Sequence, residues 1–131
     1  MGLTYLLDSN VLIDYTSRKF SLEVEIELDK IFDSTFHYSV ISKLEVLGYQ
    51  ASESELSNLE EFLLLGVMYP ITEEIANRCI QIRRNSPRTK LPDAIIAASA
   101  IANRHILVTS NISDFDRIKG LTVVTPASLY K

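Results

Sequence analysis

The chain has 131 residues, 47% hydrophobic and 23% charged, with four Gly and four Pro, a size and balance that fit one compact domain over residues 1–131 and exclude a disordered tail. A single cysteine, Cys79, excludes an intramolecular disulfide and a cysteine-rich zinc site, and makes a reducing cytoplasm the expected compartment. The formal net charge of −4 at first sight disfavours nucleic acid as a partner, and neither a basic leader nor an apolar run of about 20 residues signals secretion or a membrane span.

Leu3 to Leu7 is an apolar run bounded by Asp8-Ser9-Asn10, which predicts a strand buried on both faces with Asp8 at its carboxyl end. Val11, Leu12 and Tyr15 then have helical spacing, with Ser9 or Asn10 as the N-cap. Phe20 to Phe32 is ambiguous. Phe20, Leu22, Val24, Ile26 and Leu28 alternate with polar residues as in a strand, whereas Leu28, Ile31, Phe32 and the Glu and Lys content favour a helix over Leu22 to Asp33. The helix is the expected outcome.

Phe36 to Val40 reads as a strand, and Ser42-Lys43-Leu44-Glu45 as a capping box opening a helix. In that reading Glu45 bonds back to the cap. Ser54 to Leu65 and Thr72 to Arg84 are amphipathic helices, separated by a short apolar strand from Val67 to Ile71 that Pro70 confines to an edge or an end. Leu91 to His105 is the most apolar helix, with Pro92 in its first turn, and is expected at the centre of the fold. Ile106 to Val108 and Val123-Val124 complete the strands, the former ending in Thr109-Ser110-Asn111. Strands alternating with helices in this order predict a three-layer α/β/α sandwich with a mainly parallel sheet, in which ligands bind beyond the carboxyl ends of the strands.

Four carboxylates fall where one element gives way to the next: Asp8, Glu45, Asp93 and Asp114. A lone Asp at a helix start is ordinarily a cap or a dipole partner. Repetition at several switch points points elsewhere, because carboxylates are costly to gather unless a cation holds them. The run RRNSPRTK carries Arg83, Arg84, Arg88 and Lys90 with no acidic residue, and Arg18-Lys19 follows the first helix. These cations either cradle a nucleic-acid backbone beside an acidic pocket or simply complement a solvated helix end.

LLDSNVLID at Leu6 to Asp14, ISKLEVLG at Ile41 to Gly48, LPDAIIAASA at Leu91 to Ala100 and LVTSNISDF at Leu107 to Phe115 together resemble the PIN-domain family, in particular its VapC-type toxin ribonucleases. The resemblance implies a metal-binding set of Asp8, Glu45 and Asp93, with Asp114 as a fourth acidic member. It also implies that Asn10, Thr109 and Asn111 support the site by hydrogen bonding. Many relatives carry Asp where this chain has Asn111, which removes one negative charge; Asp114 either compensates or caps the short helix that follows.

The oxygen-rich donor set suits Mg²⁺ or Mn²⁺. His37 and His105 stand singly among apolar neighbours and read as structural. A bound cation would lower the pKa of a water, orient a scissile phosphate and neutralise the departing oxygen, giving RNA cleavage with, by the resemblance, a 5′-phosphate and a 3′-hydroxyl. The resemblance further implies a neutralising antitoxin and a homodimer. The Phe20 to Phe32 region and the Leu56 to Leu65 helix are candidate antitoxin surfaces. DSNVLID also resembles the first motif of haloacid-dehalogenase-type phosphatases, but Asn10 stands where their second Asp donates a proton. A third reading is a catalytically silent module of the same fold that binds RNA or protein.

Overall fold

The structure, a computed structural model, describes residues 2–130. Strands β1 (Tyr5–Leu7), β2 (His37–Ser39), β3 (Val67–Tyr69), β4 (Ile106–Val108) and β5 (Val123–Val124) form one sheet in the order β3-β2-β1-β4-β5, with every pairing parallel. Helices α1 (Ser9–Thr16), α2 (Leu22–Asp33), α3 (Val40–Gly48), α4 (Glu53–Leu64), α5 (Glu73–Asn85), α6 (Leu91–Ala102) and α7 (Pro126–Tyr130) connect and cover them. The expected α/β/α sandwich with a parallel sheet is what forms.

The pleat explains why one sheet supports two cores. Leu6 pairs with Leu107 and both face the layer built by α5 and α6, whereas Leu7 pairs with Val108 and both face α1, α2 and α4. All four side chains are fully buried, as a strand covered on both sides requires. Residues Ala94 to Ala100 of α6 are buried without interruption, which accounts for a helix with almost no polar face. The helix stops at Ala102, short of the expected His105, because Asn103 and Arg104 turn the chain into β4 and Arg104 takes a left-handed φ of 57°.

The ambiguous segment is helical over Leu22–Asp33, as expected. Ser21 caps it by accepting from the Val24 N–H, and Val24, Leu28 and Ile31 turn inward at helical spacing. Leu22 and Ile26, which made the alternation look strand-like, are 72% and 47% exposed.

Three local expectations are corrected. Asp8, rather than Ser9 or Asn10, is the N-cap of α1. Helix α3 begins at Val40 with Ser39 as its cap, so Ser42 and Glu45 form no capping box and Glu45 lies in the second turn. Finally, His37 and His105 are not isolated: their rings stack with centroids 4.0 Å apart, and His105 also hydrogen-bonds the Tyr69 hydroxyl at 2.7 Å and that of Thr4 at 2.6 Å. They do remain a structural cluster, built on the face of the sheet opposite Tyr38. Burial and the neighbouring His37 lower the pKa of His105 to about 4.

Candidate active site

The chain lays β1, β2 and β3 in one direction, then returns to place β4 on the other side of β1. The crevice beyond the carboxyl ends of β1 and β4 is therefore a topological switch point, where neighbouring loops diverge and leave room for a ligand. Asp8 follows β1 directly, and Thr109 follows β4. The Asp8 N–H donates to the Val108 carbonyl at 3.0 Å, so the sheet itself sets their relative position.

Asp8 is buried and closely supported. One carboxylate oxygen accepts from the Ser9 N–H at 2.8 Å, and the other accepts from the Thr109 hydroxyl at 2.7 Å and the Asn10 amide at 3.2 Å. The Asn10 side chain also donates to Thr109 Oγ1 and accepts from the Ser110 N–H, tying the start of α1 to the loop after β4. The backbone N–H of Asn111 donates to the same Thr109 hydroxyl at 3.1 Å. Thr109 is fully buried and joins both loops at one atom.

Glu45 reaches this cluster from α3, its carboxylate accepting from the Ser9 hydroxyl at 2.5 Å. Ser9 is thus a supporting residue that the motif comparison did not select; its adjacency to Asp8 was the only signal. Asp93 stands in the first turn of α6, and Asp114 is the last residue of a 3₁₀ turn over Ile112–Asp114 rather than its cap. Both line a cleft of about 90 Å³ with Arg88, Thr89, Lys90, Ser113 and Arg117. Of the four basic residues expected beside the acids, Arg88 and Lys90 are there. Arg83 and Arg84 instead line a groove with Cys79, Ile80, Pro87 and Leu91, because helical rotation carries them to another side of α5. Arg117 was missed by sequence reasoning; its only signal is the basic pair Arg117 and Lys119 shortly after Asp114.

The acids influence one another. The Asp93 carboxyl is pushed up to about 6, first by burial and then by the charges of Asp114, Asp8 and Glu45, against which Lys90 acts in the opposite direction. Asp8 is raised by burial, with Glu45 and Asp114 adding to the rise, while the Thr109 and Ser9 hydrogen bonds oppose it. Four carboxylates drawn from four separate segments therefore share one electrostatic site.

Among the described residues no three acidic, histidine or cysteine side chains converge tightly enough to form a ready-made ion cage. Bare carboxylates repel, and Mg²⁺ retains several waters and asks for only one or two protein carboxylates. Asp93 and Asp114 accept no side-chain hydrogen bond among the described residues, which leaves oxygen lone pairs free. An all-oxygen, net-negative, partly buried donor set of this kind fits a hard divalent cation.

Residues 5–121 match the family model described as PIN domain, and the chain belongs to that family. Its structure is similar to a toxin-antitoxin complex from Klebsiella pneumoniae, with 31% identity, a TM-score of 0.77, and coverage of 94% of this chain and 98% of that one. DNA-bound VapBC from Salmonella typhimurium is similar at a TM-score of 0.81 and 22% identity, covering 95% of this chain and 99% of that one. FitAcB from Neisseria gonorrhoeae gives 0.76 and 22% over 95% and 99% of the two chains. No curated protein matches the chain. The PIN-domain resemblance read from the motifs is met by this family match.

Proposed function

We propose that the chain is a divalent-metal-dependent endoribonuclease of the VapC type, the toxin of a toxin-antitoxin pair. The observation that carries this reading is the grouping of Asp8, Glu45, Asp93 and Asp114 at the switch point of a PIN fold, where burial first and then the other three charges push the Asp93 carboxyl up to about 6. Asp8 and Asp93 would hold Mg²⁺ or Mn²⁺, with Glu45 and Asp114 completing the acidic surround. When bound, the cation supplies an acidified water and neutralises charge on the departing oxygen. The Thr109 hydroxyl and the Ser9 N–H oppose the rise in the Asp8 pKa and, with Asn10, fix the direction of its carboxylate, while the Ser9 hydroxyl holds the Glu45 carboxylate in place. Asn111 contributes through its backbone to the Thr109 hydroxyl. Arg88 and Lys90 offset the repulsion between these acids and an incoming phosphate. In-line attack by water breaks the bond between phosphorus and the 3′ oxygen, leaving a 5′-phosphate and a 3′-hydroxyl.

The toxin assignment draws on the Klebsiella pneumoniae toxin-antitoxin complex and on the VapBC and FitAcB complexes. A protein antitoxin is the partner in this reading, a second copy of the chain forms a homodimer, and the cytoplasm holds the RNA. No helix among the described residues is long and apolar enough to cross a membrane. Leu22 and Ile26 of α2, and Leu64 with Leu65 at the end of α4, leave exposed apolar surface for an antitoxin helix.

Single-stranded RNA incubated with the wild type and with Asp8→Asn, each in Mg²⁺ and in EDTA, tests the activity. Cleavage by the wild type in Mg²⁺ alone is the expected result. Equal cleavage by both proteins, or cleavage undiminished in EDTA, would refute it, and no cleavage of varied RNAs would leave a binding module.

A further inference from the structure

The acid cluster does not account for the wall that Asp93 and Asp114 share. Three cations, Arg88, Lys90 and Arg117, face two carboxylates in that cleft, so its lining is net positive. Thr89 lies in the same wall, 4% exposed, and its hydroxyl is one of two buried side-chain oxygens among the described residues with no hydrogen-bond partner. A hydroxyl buried without a partner is costly, and one beside three cations is suited to donate to an anion.

Arg117 also lines a second recess of about 360 Å³ between α5 and the segment after the 3₁₀ turn. Arg78, Asn85, Ser86 and Lys119 line it, and no carboxylate does. Arg117 and Lys119 pair with no acid among the described residues. Arg78 meets Glu74 at 3.5 Å, but both side chains are well exposed, and such pairs yield readily to a stronger anion. The two hollows meet at Arg117, the residue that lines both, and their cations together form a basic furrow that leads away from the acids.

We propose that this furrow guides single-stranded RNA away from the acid site, with Arg117 binding the phosphate next to the scissile one and Arg78 and Lys119 binding those that follow. The inference rests on the nuclease reading of the acids and identifies the side from which the substrate strand extends. Arg83 and Arg84, on another side of α5, take no part.

Anisotropy of a labelled oligouridine strand, measured with Asp8→Asn as the uncleaving background, separates the two ideas. Adding Arg117→Ala is expected to weaken binding by about tenfold or more and to reduce the slope of log affinity against log salt by about 1. Adding Arg117→Lys is expected to recover part of the affinity, and adding Arg84→Ala to leave affinity and slope near those of the background. Equal loss from Arg84→Ala and Arg117→Ala would overturn the proposal, as would no effect of Arg117→Ala or no binding by the background protein at low salt. An Arg117 effect on binding in a protein whose wild type cleaves no RNA would defeat the nuclease reading while leaving the furrow in place.

Discussion

At Asp93 the folded protein holds its proton up to about pH 6, whereas the same carboxyl in the unfolded chain has the ordinary value of 3.8. The sign follows from linkage: the folded state binds more protons between those values, so stability present below about pH 4 declines as pH rises through 6. In EDTA at neutral pH, Asp93→Asn is therefore expected to raise the thermal unfolding midpoint, and in Mg²⁺ to abolish cleavage; a lowered midpoint in EDTA would contradict the electrostatic account. Divalent cation should stabilise the wild type more than the variant. Thr109→Val keeps the shape and removes the hydroxyl that serves Asp8, Asn10 and Asn111 at once. A loss of about 10–100-fold in cleavage or in cation affinity is expected for such a supporting residue, read from kinetics and calorimetry.

Elements were legible wherever local pattern and tertiary packing agreed. Helix α2 shows why pattern alone was insufficient: Ser21 capping and the inward Val24, Leu28 and Ile31 decide it, while the alternating Leu22 and Ile26 simply face solvent. Helix α3 shows the opposite failure, since Ser39 and Ser42 are both plausible caps and only the length of β2 selects Ser39. At the entry to β3, Gly66 packs on the Phe36 ring with no room for a Cβ. Gly66→Ala should cost about 1–3 kcal/mol of stability in denaturant unfolding, as overpacking does. The His37 and His105 stack joins β2 to the residue before β4, far apart along the chain, and so left no mark on the sequence. Its consequence is acid sensitivity: the unfolded chain takes up a proton below about 6.5 that folded His105 refuses until about 4, so stability falls with pH across that window. His105→Asn should flatten the fall in unfolding midpoint between pH 7 and 4; an unchanged pH profile would contradict it.

At the scale of the whole molecule, strand order does the gathering. Asp8, Glu45, Asp93 and Asp114 are far apart along the chain, and the return from β3 to β4 across β1 brings their segments to one rim. Their motifs were readable because the acids interrupt otherwise apolar elements. The cationic surround was half readable: Arg88 and Lys90 stand beside the acids, Arg83 and Arg84 are carried away by helical rotation, and Arg117 arrives from a loop with no periodicity to betray it. The most direct test of a metal centre at this rim is anomalous diffraction from crystals of the protein grown with Mn²⁺. The account predicts a peak in contact with the Asp8 carboxylate that disappears in Asp8→Asn; a peak persisting unchanged in that variant, or none at the rim in the wild type, would contradict it.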